Sequence, residues 1–226
     1  MKQFQPSESL AVGFLLALTG GLLDAYSYLN RGEVFATAET GNIVLMGINL
    51  AQRNWSGALH YLLPVLAFTA GILAAEWVRR RCDPGEGRPQ RLHWRLPLLL
   101  TECGAILVVS ALPMGPLDPL ANIIISFASA LQVESFRNIQ GYGCVTTMCT
   151  GNLRSGTERM FLYLRSGDRD HFARAVQYYG IILFFIAGAA VGALCGGRFG
   201  QPGVLVSLPP LLIAFLMMFE RKNACD

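Results

Sequence analysis

The chain has 226 residues, of which 53% are hydrophobic and only 15% charged, and its formal net charge is +3. Soluble domains carry roughly 25% charged residues, so this composition disfavours a soluble protein, and a charge of +3 is too modest to indicate nucleic-acid binding. Six cysteines without CxxC spacing or a neighbouring histidine predict no disulfide framework, no metal site and no cofactor.

Apolar residues are gathered into long blocks along the chain, and mean hydropathy is +0.41. About 17–25 apolar residues are needed to cross the hydrocarbon core of a bilayer, and each block approaches or reaches that length. The blocks therefore predict an all-α integral membrane protein with six transmembrane helices. They cover residues 10–29, 57–78, 96–112, 120–136, 173–194 and 204–219.

The chain contains an internal repeat. The sequence Thr40-Gly41-Asn42 recurs 110 residues later as Thr150-Gly151-Asn152. We call these the first and the second motif. At the same offset Asp24 matches Glu134, so that each motif has an acidic residue upstream at the same distance. Internal repeats are typical of transporter folds. We expect a first three-helix repeat over 1–113 and a second over 114–226, which together form one membrane domain.

Arginine distribution predicts the orientation of the two repeats. Loops 79–95 and 137–169 are rich in arginine, whereas 113–119 has neither Lys nor Arg. The positive-inside rule places the two basic loops and both termini, marked by Lys2 and Arg221, in the cytoplasm. If residues 34–51 crossed completely, loop 79–95 would be pushed outside. That segment is therefore predicted to re-enter or to line a protein cavity, and the halves to be inverted.

Each motif is predicted to open the helix that follows it, because Thr and Asn are good N-caps and Gly allows close backbone approach. Two helix N-termini would then point inward from opposite faces. Such half-helix ends carry partial positive charge and hold anionic groups in several transporters. The alternative is that each motif is only a turn with a cap.

Acidic residues within apolar blocks are the second set of candidates, since ionisable groups there usually face a cavity or a partner. Asp24 and Glu134 are such residues, although Glu134 can also pair with Arg137 three residues on. Glu39 precedes the first motif and is a candidate proton or cation gate. The carboxylates suggest that the substrate is a cation or a proton, whereas the helix N-termini suggest an anion. The sequence leaves both kinds of substrate open. The candidate substrate-binding residues are Asp24, Glu39, Thr40, Gly41, Asn42, Gln132, Glu134, Thr147, Thr150, Gly151 and Asn152.

Several of these stretches resemble the YoaK family of bacterial multi-pass membrane proteins, whose function is unknown. The resemblance rests on Gly21-Leu22-Leu23-Asp24-Ala25, Val34-Phe35 and the first motif, and then on Leu131-Gln132, Phe136-Arg137 and the run from 146 to 153 that contains the second motif. It implies location in a bacterial inner membrane and supplies no substrate. Many members have Gln-Asn where this chain has Gln132-Val133, so no role for that Asn is carried over.

A small-solute transporter or channel, with its path between the two motifs, is the leading functional hypothesis. A membrane-embedded scaffold or sensor is the alternative. An intramembrane enzyme is disfavoured because His60, His93 and His171 lie in loops or at block ends and no catalytic constellation emerges. The expected partners are the lipid bilayer and an unidentified small solute, and a homo-oligomer is compatible with either hypothesis.

Overall fold

The computed structural model describes residues 9–82, 94–139 and 141–223, without the side chains of Tyr142 and of 220–223. Lys2 and His93, and the side chain of Arg221, fall outside this description. Eight α-helices and one short hairpin occupy the described residues. The helices are α1 (Leu10–Asn30), α2 (Glu39–Ala51), α3 (Trp55–Cys82), α4 (Arg95–Ala111), α5 (Asp118–Ser135), α6 (Cys149–Ser166), α7 (Arg169–Phe199) and α8 (Leu208–Asn223).

Apart from the helices, a 3-10 segment (Gln201–Ser207) leads directly into α8. The strands β1 (Asn138–Ile139) and β2 (Tyr142–Gly143) form a two-residue antiparallel ladder between α5 and α6. The prediction of an all-α protein is therefore correct except for this hairpin. A ladder so short contributes little by itself, and it serves to turn the chain after α5.

A helix covers each of the six apolar blocks, and the membrane character of the chain is clear from their length. Four segments of the described chain are long and apolar enough to cross a bilayer: α1, α3, α7 and the continuous stretch 201–219. The other two blocks form α4 and α5, with 17 and 18 residues. Because α4 is short and α5 is rich in polar residues, six complete crossings stay a prediction.

Glycines hold the two main helix pairs together, α1 against α7 and α3 against α5. A Cβ built on Gly188 of α7 would collide with the carbonyl oxygen of Leu18 in α1. A Cβ on Gly71 of α3 would stand 2.5 Å from the carbonyl oxygen of Phe127 in α5. Small residues at such crossings allow backbones to approach, which is how helices associate without help from the hydrophobic effect in lipid.

The end of α1 is fastened to the α4–α5 connection by Arg31, whose side chain is completely buried. Its guanidinium donates to Asp118 Oδ1 at 3.0 Å and to the Tyr26 hydroxyl at 3.0 Å. Three backbone carbonyls also accept from it, those of Val109, Leu112 and Pro113. A buried guanidinium is stable only when paired and fully hydrogen-bonded, and this one is.

The opposite end of the bundle gathers the start of α1, the hairpin and the first half of α7. A Cβ built on Gly13 would collide with the side chain of Ile139, so α1 and the hairpin are in direct contact. The Tyr178 hydroxyl of α7 donates to the Gly143 carbonyl at 3.2 Å. The start and end of α1 therefore mark opposite ends of the bundle.

Candidate functional site

The connection between α1 and α2 turns back into the bundle. Ala36 N donates to Ser27 Oγ at 3.2 Å, and Thr37 N donates to Asp24 Oδ1 at 2.7 Å. The Thr37 hydroxyl reaches the carbonyl of Gly20 at 3.5 Å. The chain thus runs back along α1 as far as its middle before α2 begins.

The segment that leads from the hairpin into α6 contacts α1 at the same height as the α1–α2 connection does. A Cβ built on Gly20 would stand 2.6 Å from the methyl carbon of Thr147, so the backbone of α1 and this threonine are in contact. Thr37 and Thr147 are the residues matched at the 110-residue offset, and both lie against one glycine. The helices that carry the two motifs therefore start close together, beside the centre of α1.

Neither motif caps its helix, and that prediction is wrong. α2 begins at Glu39 after Ala38, and α6 begins at Cys149 after Met148, with no side-chain cap in either case. Each motif instead forms the first turn of its helix. The first-turn N–H groups of a helix have no intrahelical acceptor, so both motifs still present backbone donors and the positive end of the helix dipole.

The two asparagines are buried and fasten the preceding loop to the helix. Asn42 accepts from Phe35 N at 3.0 Å, donates to the Phe35 carbonyl at 2.7 Å, and donates to Glu39 Oε2 at 2.7 Å. Asn152 donates to the carbonyl of Val145 at 2.8 Å. Each bond to a loop carbonyl reaches back seven residues, so the two halves use the same bridge. Each helix begins three residues before its Asn, so the Asn lies beyond the cap position and its side chain forms this bridge instead.

An open-sided cavity of about 860 Å³ lies between the two motif helices, and some of its lining residues, such as Leu29 and Ile43, are exposed at the protein surface. α1, α3 and α7 complete its walls, together with Val133 of α5. Among the predicted site residues, those that line it are Asp24, Glu39, Thr40, Gly41, Thr147, Thr150 and Gly151. Its volume falls within the range of roughly 300–1,000 Å³ typical of small-molecule sites.

The remaining four predicted residues lie outside this lining. Asn42 and Asn152 form the bridges described above. Gln132 is buried against the buried carboxylate of Glu102 in α4, and an amide turned so that its nitrogen faces α4 donates to both carboxylate oxygens, at 3.1 and 2.9 Å. Glu134 forms an ion pair with Arg137 at 3.2 Å, the pairing that its sequence spacing allows. The structure therefore brings Asp24 to the cavity but not its counterpart.

The family of the chain follows from comparison with known proteins. The model of a family described as a protein of unknown function (DUF1275) matches residues 12–218. The chain belongs to the DUF1275 family. It is also 26% identical over 219 residues to the UPF0700 transmembrane protein YoaK of Bacillus subtilis (strain 168), an alignment that covers 92% of each chain. No solved structure matches the chain. The resemblance inferred from the motifs is confirmed, and the protein is a membrane protein of this family.

Aromatic residues of the cavity in this DUF1275 protein were missed by the sequence reasoning. Phe68 of α3 and Phe185 of α7 both line it, as do Ile72 and Ala189. Each pair is separated by 117 residues, the offset at which Ala70-Gly71 matches Ala187-Gly188. The offset was the available signal for these lining residues. Residues next to the matched Ala-Gly stretches of α3 and α7 are expected to occupy matched positions as well.

Polar atoms inside α5 were also missed. The Ser129 hydroxyl and the Oδ1 of Asn122 are buried and have no hydrogen-bond partner among the described residues, and the buried Ser126 hydroxyl faces the Glu39 carboxylate without a hydrogen bond of normal geometry. Their spacing of three and four residues places them on one face of the helix. The signal was present, since an apolar block with regularly spaced polar residues rarely faces lipid on that side.

The two motif glycines have different surroundings. A Cβ on Gly41 would stand 2.5 Å from Cδ2 of the Phe35 ring, whereas a Cβ on Gly151 would meet nothing within 4 Å. Gly41 is therefore required for packing, and Gly151 faces open space at the cavity wall. Bulky residues should therefore act differently at the two positions, because only one of the two loops places an aromatic ring over its glycine.

Proposed function

We propose that this DUF1275 protein is a small-solute transporter or channel whose path runs through the cavity between the two motif helices. The observation that carries the proposal is the composition of the cavity wall. Matched residues of both halves contribute to it in pairs: Thr37 with Thr147, the two motifs with each other, and Phe68 with Phe185. Solute sites of repeat-built transporters lie at such a repeat interface.

The helix pairing supports an internal two-fold arrangement. α1 and α5 are the first helices of their halves, and α7 and α3 are matched through their glycines. If the two halves are exchanged, α1 takes the place of α5 and α7 takes the place of α3. The α1–α7 pair then becomes the α5–α3 pair, as a two-fold relation between the halves requires. The repeated asparagine bridge supports the same relation. We infer two inverted three-helix repeats, over 1–113 and 114–226.

The proposed orientation in the membrane follows from the loops. Arg31 ties the end of α1 to the α4–α5 connection, which has no Lys or Arg. The hairpin and the start of α7 lie at the other end, next to the arginine-rich segment 137–169. We assign the first end to the outside and the second to the cytoplasm of a bacterial inner membrane. The first motif is then reached from outside and the second from inside.

Replacement of Gly151 by Leu tests the path. Gly151 lines the cavity and a Cβ built on it meets nothing within 4 Å, so a Leu is expected to extend into the cavity without a backbone clash. Flux should fall strongly while the helix is retained, since Leu is a better helix former than Gly. The assay is uptake into proteoliposomes of a panel of small cations, anions and neutral metabolites, with thermal unfolding followed in parallel.

Gly47→Leu is the matched control, because Gly47 lies in α2, meets nothing within 4 Å of its Cβ position and does not line the cavity. It should transport like wild type. Equal flux in the Gly151→Leu and wild-type proteins would show that solutes do not pass between the motifs. If wild-type protein moves no member of the panel, the scaffold or sensor hypothesis is favoured instead.

A further inference from the structure

The chemistry of the cavity wall defines a class of ligand. Much of the wall is apolar, with side chains such as Leu29, Ile43, Ile72 and Val133. Inorganic cations need several oxygen ligands to replace their hydration shell, and no group of three His, Cys, Asp or Glu residues suited to a metal ion occurs among the described residues. The cavity therefore suits a molecule with an apolar body.

The charged groups of the wall favour one sign of ligand charge. Asp24 and Glu39 line the cavity, and none of the described lining residues is Lys, Arg or His. Each helix N-terminus contributes only about half a positive charge. Glu39 lies in the first turn of α2 and opposes that dipole directly. When both carboxylates are ionised, their charge outweighs both helix ends, so that an anion is repelled and a cation attracted.

The two carboxylates are held in place by hydrogen bonds. Asp24 is buried, and its Oδ1 accepts from Thr37 N. Glu39 Oε2 accepts from Asn42, and the Ser126 hydroxyl of α5 also faces the Glu39 carboxylate, although Oε1 has no hydrogen bond of normal geometry from the described residues. A buried acceptor without a donor is costly unless a ligand or water satisfies it. A carboxylate can accept several hydrogen bonds, so Glu39 retains capacity for a further donor or a neighbouring positive charge.

Aromatic rings complete the site. Tyr28, Phe35, Phe68 and Phe185 all line the cavity, and the rings of Tyr28 and Phe35 stack with centroids 4.7 Å apart. Aromatic faces attract cations, most strongly where water is excluded. We propose that the cavity binds monovalent organic cations with an apolar body, such as quaternary ammonium or phosphonium compounds. This inference rests on the proposed path and names the class of solute that uses it.

Tetraphenylphosphonium and tetraphenylborate test the sign of the charge, because the two ions have nearly the same shape and opposite charge. Saturable binding of each radiolabelled ion is measured on the full chain in lipid nanodiscs, with the signal of empty discs subtracted. The cation should bind at least about tenfold more tightly than the anion, a difference expected for a ligand beside an ionised carboxylate. Equal binding, preference for the anion, or no saturable cation binding overturns the proposal.

The double variant Asp24→Asn with Glu39→Gln tests the location. Both changes preserve shape, and the asparagine introduced in place of Asp24 retains an oxygen that can accept from Thr37 N. Affinity for tetraphenylphosphonium should fall about tenfold or more while thermal stability stays near that of wild type. Glu134→Gln is the control, since Glu134 matches Asp24 in the repeat but pairs with Arg137 outside the cavity. An unchanged affinity in the double variant would place binding elsewhere and refute the site.

Binding and flux separate this inference from the proposed function. Carboxylate-dependent cation binding without any cation flux would retain the ligand class and refute transport. Flux that is blocked by Gly151→Leu, together with absent tetraphenylphosphonium binding, would retain the path and refute the ligand class.

Discussion

Removal of the Asn42 amide should destabilise the protein more than removal of the Asn152 amide. Asn42→Ala deletes three hydrogen bonds, two to the backbone of Phe35 and one to Glu39. Asn152→Ala deletes one bond to the Val145 carbonyl and one weak bond, 3.3 Å long, from the Cys144 thiol. The two halves share the bridge but differ in its strength.

The magnitudes follow from typical hydrogen-bond contributions. At about 0.5–1.5 kcal/mol for each bond, Asn42→Ala should cost about 2–4 kcal/mol and Asn152→Ala about 1–2 kcal/mol. Ala is favoured over Asn inside a helix by up to ~0.7 kcal/mol, but this gain applies to both variants and cancels in their comparison. At roughly 2–4 °C for each kcal/mol, the melting temperature should fall by about 4–16 °C for Asn42→Ala.

The measurement is thermal unfolding of the purified protein in one detergent, followed by the intrinsic fluorescence of its tryptophans. Asn138→Ala serves as the control, because Asn138 is exposed in β1 and its change should leave the melting temperature within about 1–2 °C of wild type. If Asn42→Ala is no more destabilising than Asn152→Ala, the bridge is not what holds the first loop in the bundle. A loss confined to flux, with unchanged melting, would instead make Asn42 part of the solute site.

Two further predictions concern helix packing and orientation. Gly188→Ala should lower the melting temperature markedly, because its Cβ would collide with a backbone carbonyl of α1, whereas Gly197→Ala, on the same helix with nothing within 4 Å, should not. In a cysteine-free background, Met114→Cys should be labelled by an impermeant maleimide from outside and Arg81→Cys should not. Met114 is preferred to Gly115, whose φ of +93° is unfavourable for a side chain. External labelling at position 81 would contradict the inverted arrangement.

Local composition was sufficient to predict the class of protein and the positions of its helices. The mean hydropathy of a stretch depends only on the residues within it, so the six apolar blocks could be located without knowledge of their packing. The recurring motif was visible for a similar reason, because its three residues and the acidic residue upstream keep their spacing, while the repeat architecture inferred from it stays a prediction. The re-entry of the first connection was inferred from arginine distribution, and the chain does turn back along α1 as far as Gly20. Whether that depth corresponds to the middle of a bilayer stays part of the proposal.

Only the tertiary structure decided which polar residues face the cavity and which stabilise the bundle. Asp24 and Glu134 occupy matched positions, yet one lines the cavity and the other pairs with Arg137. Gln132 is committed to Glu102 on a neighbouring helix, and Arg31 to the Val109 carbonyl, 78 residues away. The physical reason is that a buried polar side chain must find its partner in space. In a helical bundle that partner is set by interhelical contacts, such as those at the glycines of α3 and α7, between segments far apart in the chain.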